Sequence, residues 1–110
     1  MALDFTNFLG KATYDLKVVN TDKIKKVTIN DIELNISSAL FRVLCSFIKL
    51  SKEYNYVPIK EIDKSYPAKT LQRYIKRIND ETLNSINEKI IESKYGFGYY
   101  FTIDTFDIEE

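Results

Sequence analysis

At Ser37 the spacing of apolar residues changes, and that change constrains the fold more than any other feature of the chain. Before it, Tyr14, Leu16 and Val18 alternate with Asp15 and Lys17, and Val27 and Ile29 alternate with Lys26 and Thr28. Ile32, Leu34 and Ile36 alternate with Glu33 and Asn35. A period of two sets one face of a strand against a core and the other in water. Asn30-Asp31, two residues that tolerate left-handed backbone, fits a hairpin turn between the second and third strands. Residues 1–36 therefore predict a small antiparallel meander with an apolar face that needs a cover.

After Ser37 the spacing becomes helical. Leu40, Phe41, Leu44, Phe47 and Ile48 share one face of a helix running to about Ser51, and either Ser37 or Ser38 fits its N-cap. Val57-Pro58-Ile59 opens a short second helix with Ile59 and Ile62 as its apolar positions. Its proline stands near the first turn, where a missing N–H does no harm. Ser65-Tyr66-Pro67 makes a tight connection. A third helix, about 67–79, places Leu71, Ile75 and Ile78 at i, i+4 and i+7. Beyond Asn79-Asp80 the pattern weakens, and ETLNSINEK reads as a helical turn or an ordered loop from which Leu83 and Ile86 enter the core. Ile90-Ile91 and Tyr99–Ile103 read as the strands of a hairpin, about 90–103, with its tip at Lys94 to Gly98. Residues 104–110 read as a frayed acidic tail. This order predicts a single α+β domain over 1–110: N-terminal antiparallel strands (1–36), three helices (37–79), then a loop and β-hairpin wing (80–103). It is the winged helix-turn-helix arrangement, whose third helix enters the major groove of DNA.

Composition narrows the function. The 110 residues carry Lys+Arg 16 against Asp+Glu 16 and no His. Zero net charge excludes a polybasic nucleic-acid coat. Without His there is no histidine catalysis, no zinc site using His and no histidine pH switch. A lone Cys45 excludes an intramolecular disulfide and a Cys-only metal cluster, and its place on the apolar side of the first helix reads as a small buried hydrophobe. No phosphate-cradling loop, nucleophile elbow or metal-ligand spacing occurs, so no enzymatic activity, cofactor or metal is expected. The start, MALDFTNFLGKATYDL, has Asp4 and no basic segment leading into an apolar run, so it is not read as a secretory signal. No apolar run is long enough to span a bilayer. A cytoplasmic protein is expected. Abundant Lys, Ile, Asn and Tyr point to an AT-rich genome such as that of a low-GC bacterium, a phage or a plasmid.

Charge is unevenly distributed. Pro58 to Asn79 holds Lys60, Lys64, Lys69, Arg73, Lys76 and Arg77 against Glu61 and Asp63, a net +4. On the third helix Lys69, Arg73 and Lys76 form one stripe opposite the apolar face, flanked by Gln72. Arg and Gln read base edges bidentately, whereas Lys neutralises phosphate. Arg73 and Gln72 are thus the candidates for base readout, and Lys64, Lys69 and Lys76 for phosphate contact, with Arg77 beside them. Lys94 and Tyr95 are the candidates at the hairpin tip. The same residues also fit a solvated surface: Arg77 has Asp80 and Glu81 within reach, Tyr99 and Phe101 fit core packing, and Tyr54 and Tyr56 fit packing or partner contact. Thr102 to Glu110 sums to −4 through Asp104, Asp107, Glu109 and Glu110, a tail able to shield the basic helix.

Three segments resemble one family. IIESKYGFGYYF (Ile90 to Phe101) resembles the C-terminal wing of OmpR/PhoB-type response-regulator DNA-binding domains, with Gly96, Gly98, Tyr99 and Phe101 at the matching positions. TLQRYIKRI (Thr70 to Ile78) resembles that family's recognition helix through Leu71, Ile75, Arg77 and Ile78. LNISSALFRVLCSF resembles its first helix through Ser37, Phe41, Arg42, Val43 and Leu44. The resemblance spans about Val27 to Ile103 and implies a winged-helix domain that binds double-stranded DNA, with the wing tip in the minor groove. Three positions depart from the family pattern. Leu40 replaces an acidic residue, Tyr95 replaces an arginine at the tip, and the connection between the second and third helices is short. That connection contacts RNA polymerase in the family, so the resemblance carries no such contact here. A chain of 110 residues leads us to expect no receiver domain and no switching by aspartyl phosphorylation. The resulting expectation is a small stand-alone transcription regulator that binds DNA as a homodimer or in tandem, because one helix gives limited specificity. The alternative is a winged-helix module that binds a protein partner instead, such as a phage or plasmid inhibitor or antirepressor.

Overall fold

The computed structural model describes residues 14–110. The reading of residues 1–13 as lacking a secretory signal lies outside the described residues. Strands β1 (Asp15–Asn20), β2 (Lys25–Ile29) and β3 (Ile32–Glu33) form the expected antiparallel meander. Asn30 and Asp31 both have positive φ, 50° and 68°, the two-residue turn whose twist matches that of flanking strands. Leu16, Val18, Val27 and Ile29 are buried on one sheet face. Strand β3 stops at Glu33, so the alternation expected through Ile36 holds in part. Leu34 is buried, Ile36 is half-buried, and Ile32 beside the turn is exposed.

Helix α1 (Ser38–Ser51) starts where the spacing changes. Ser37 is its N-cap, its hydroxyl accepting from the Leu40 N–H at 3.5 Å. The short α2 (Ile59–Ile62) follows Pro58, and α3 (Ala68–Ile86) follows Pro67. Val43, Leu44, Phe47 and Ile48 of α1 join Leu71, Ile75 and Ile78 of α3 and the buried sheet residues in one core. Cys45 is buried with them, and desolvation pushes its thiol pKa up, which suits a packing role. Strands β4 (Ile91–Lys94) and β5 (Gly98–Phe101) form the C-terminal hairpin.

Two elements differ from expectation. Helix α3 does not stop near Asn79 but continues to Ile86. It ends at Asn87, which has φ 61° and donates its N–H to the Leu83 carbonyl at 3.0 Å. The apolar period is interrupted because Asn79 and Thr82, both buried, occupy core-facing positions. Ile86 packs against the core as expected, but Leu83 is exposed.

The acidic tail is not frayed. Thr105–Glu109 forms β6, which pairs in parallel with β1 in the sheet order β3-β2-β1-β6. Phe106 and Ile108 supply a period of two beneath the charges, lying opposite Leu16 and Val18. The Phe106 ring stacks on Phe101 at 4.5 Å between centroids, and Phe101 meets Phe47 at 4.7 Å. Two of the acidic side chains, Asp107 and Glu110, are held by α1. Lys49 pairs with Glu110 at 2.7 Å, and Lys52 lies 3.6 Å from Asp107 and donates to the Phe106 carbonyl at 2.8 Å. The tail's partners thus lie on the sheet and α1, not on α3, contrary to a shield over the basic helix. Among the described residues, no helix is long and apolar enough to cross a membrane.

Candidate nucleic-acid interface

The interface begins with the turn between α2 and α3. Asp63 is buried, and its carboxylate accepts from the Ser65 N–H at 2.9 Å. Arg42 reaches across from α1, with Nε 2.9 Å from Asp63 Oδ2 and a second nitrogen 2.8 Å from Ser65 Oγ. Its guanidinium also lies over the Tyr66 ring at 5.6 Å, and Tyr66 packs edge-on against Tyr74 of α3 at 5.2 Å. These contacts fix the direction in which α3 leaves the turn. Arg42 stands at a position that matches the resembled family, but nothing in its local sequence points to this linkage. Asp63 stands out as an acid within a basic stretch, but local sequence does not say which cation it meets.

Leu71, Ile75 and Ile78 bury one side of α3, leaving Lys69, Gln72, Arg73, Lys76 and Arg77 exposed on the remaining surface. Lys64 is exposed in the preceding turn. The basic residues occupy the N-terminal half of the helix, the part that a helix-turn-helix presents to base edges. Asp80 pairs with Lys76 at 3.3 Å rather than with Arg77, and Glu81 accepts from the Asn35 N–H at 3.4 Å. The Lys76 pair is an exposed i, i+4 contact of small energy that a phosphate can displace.

Asn79 couples this helix to the wing. Its Oδ1 accepts from the N–H groups of Ile90 and Ile91 at 3.1 and 3.0 Å, and its Nδ2 donates to the Ile91 carbonyl at 2.8 Å. A groove separates the two elements. Gln72, Lys76 and Leu83 line the helix wall, while Glu92, Ser93 and Tyr99 line the wing wall.

The wing is pinned from its other edge by Val57, which exchanges two backbone hydrogen bonds with Tyr99, at 2.8 and 2.9 Å. Gly98 makes this approach feasible: a Cβ there would stand 2.4 Å from the Val57 carbonyl oxygen, and its φ is 139°. The tip turns through Tyr95-Gly96, with Gly96 at φ 82° and the Phe97 N–H bonded to the Lys94 carbonyl at 2.9 Å. A positive φ at that third turn position favours glycine. Tyr95 is completely exposed, at 101% relative accessibility, and Phe97 is 59% exposed. Lys94 is exposed, with its ammonium 5.4 Å from the Tyr56 ring centroid and 5.3 Å from that of Phe97. Tyr56 in turn meets Phe97 and Tyr100, each at 5.5 Å. Tyr56 and Phe97 therefore belong to the tip, although neither was among the expected site residues. Tyr99 and Phe101 are half-buried and pack against the core, as expected.

No family model matches the sequence, and no curated protein sequence matches it. The fold has a solved counterpart in the crystal structure of the response regulator AdeR DNA-binding domain in complex with an intercistronic region. That domain superposes with a TM-score of 0.65 over 86% of this chain and 100% of its own, at 12% sequence identity. The chain shares that domain's fold, with N-terminal strands, three helices and a C-terminal hairpin in the winged-helix arrangement expected from the sequence. At this identity the two proteins share an architecture, and the chemistry of the present winged-helix surface rests on its own residues.

Proposed function

We propose that this winged-helix protein is a sequence-specific DNA-binding transcription regulator. In this reading the N-terminal half of α3 lies in the major groove and the β4-β5 wing contacts the adjacent minor groove. The observation that carries it is the exposed, predominantly basic face of α3, held between the Arg42–Asp63 linkage and the Asn79 anchor. Arg73 and Gln72 read base edges. Lys64, Lys69, Lys76 and Arg77 contact phosphates, and Lys94 contacts the backbone at the wing, where Tyr95 stands at the tip facing the duplex. The binding unit is a homodimer or tandem, the protein is not an enzyme, and it works in the cytoplasm.

The test is affinity for mixed-sequence duplex DNA measured by fluorescence anisotropy across a range of salt. Wild type is expected to bind with affinity falling steeply as salt rises. Lys69→Ala or Lys76→Ala should reduce the log–log slope by about 1, the loss of one phosphate contact. Absence of binding at low salt sinks the reading. The exposed rings of Tyr95, which stands where the resembled family has an arginine, and of Phe97 favour one second reading: a module that docks a protein through the wing. A single partner captured through the wing by a protein inert to DNA would establish it.

A further inference from the structure

The wing tip is built unlike a cationic probe. Between Ser93 and Phe101, Lys94 is the one charged residue, and its ammonium sits over the rings of Tyr56 and Phe97 instead of extending freely. Tyr100, Tyr56 and Phe97 form a continuous edge-and-tilt stack along one side of the wing. Val57 clamps β5 from that edge, and Gly98 permits the close approach. These contacts brace the hairpin up to its last turn. Beyond the stack stands Tyr95, wholly exposed and without a ring contact among the described residues. An aromatic side chain held in water on a braced support has its apolar surface available to a partner.

We propose that Tyr95, with Phe97 as its shoulder, is an aromatic wedge that enters a base step of duplex DNA and partly unstacks it. The inference rests on the DNA-binding reading above and adds to it a mode of readout. Three observations favour DNA over a protein surface. The tip carries no carboxylate, so it approaches phosphates without repulsion. Lys94 supplies a cation at its base. The wing also shares a groove with Gln72 and Lys76 of the basic helix, so a duplex on α3 lies beside the wing. Apolar side chains inserted between base pairs kink DNA and make affinity depend on how easily a step deforms, with TA steps among the most yielding. A tip of this kind selects sequence by flexibility, where an arginine tip selects by groove width and charge.

The experiment uses the full chain and short duplexes carrying 2-aminopurine at a central TA step, whose fluorescence rises when the base unstacks. Wild type and Tyr95→Phe are expected to raise the fluorescence at saturation. Tyr95→Ala, at a fully exposed position and with an unchanged circular dichroism spectrum, is expected to abolish the rise. It should also weaken binding roughly tenfold, the scale of one base–aromatic stack, with the salt slope preserved. If wild type binds without unstacking, or Tyr95→Ala unstacks as well as wild type, the wedge is overturned while DNA binding stands. If wild type does not bind DNA, both the wedge and the DNA-binding reading fail, and the exposed tip is left to a protein partner.

Discussion

Asn79 shows how much one polar side chain can organise. From inside α3 it satisfies two N–H groups and one carbonyl at the start of the wing, all in buried surroundings. Replacing it with alanine leaves those backbone groups without partners, and each orphaned buried group costs about 1–3 kcal/mol. With three such groups orphaned, Asn79→Ala is expected to destabilise the protein by at least ~3 kcal/mol in urea unfolding. Hydrogen exchange at Ile90 and Ile91 should speed up more than exchange in β1. The sequence hides this role, because an Asn after three well-spaced apolar residues reads as the end of a helix. Gly98 is legible as a turn residue, but its close approach to Val57 depends on a contact about forty residues away in sequence. The exposed residues of the α3 face are legible individually, since burial of Leu71, Ile75 and Ile78 fixes where Lys69, Arg73 and Lys76 must point.

At the scale of elements, helix boundaries follow capping and spacing wherever the core side is apolar. The Ser37 cap of α1 and the Asn30-Asp31 turn come directly from side-chain chemistry. Strand β6 escapes a sequence reading because acidic residues alternate with Phe106 and Ile108, and charge near a chain end reads as fraying. Ending the chain after Ile103 removes that strand and one of the ring partners of Phe101, leaving Phe47. A loss of ~2–4 kcal/mol follows from uncovering two half-buried apolar side chains, measurable as a lower urea midpoint. An unchanged midpoint would mean that the strand does not contribute. The latch at its end also responds to acid. The hydrogen bond from Lys49 holds the Glu110 carboxyl below its ordinary pKa. A carboxylate with a lowered folded pKa adds stability above its unfolded pKa and loses it as pH falls through the folded value. Amide protection at Ile108 and Glu109 is thus expected to fall as pH drops below the usual glutamate range. Glu110→Gln should flatten that dependence. The effect is local, because the pair is exposed and screened.

Across the whole molecule, zero net charge conceals a segregation. The Pro58–Asn79 segment carries +4, while the −4 of Thr102–Glu110 lies on and beside β6, with Glu110 and Asp107 paired to Lys49 and Lys52 of α1. Charges that cancel in sum therefore belong to different parts of the fold, and the basic helix keeps its exposed face. The order of β1 to β3, the three helices and the β4-β5 hairpin is readable from periodicity, β6 is not, and the wing residues point to the fold that the AdeR domain shares. The arrangement of the tip is not readable, because Tyr56 reaches it through the Val57–Tyr99 bridge and not through local sequence. The most direct test of the account is a titration of the isotope-labelled protein with duplex DNA, followed by backbone amide chemical shifts. The expected result is that perturbations concentrate at Lys69 to Arg77 and at Lys94 to Phe97, leaving the strands β1, β2 and β6 unaffected. Shifts confined to the sheet and α1, or none at low salt, would contradict it.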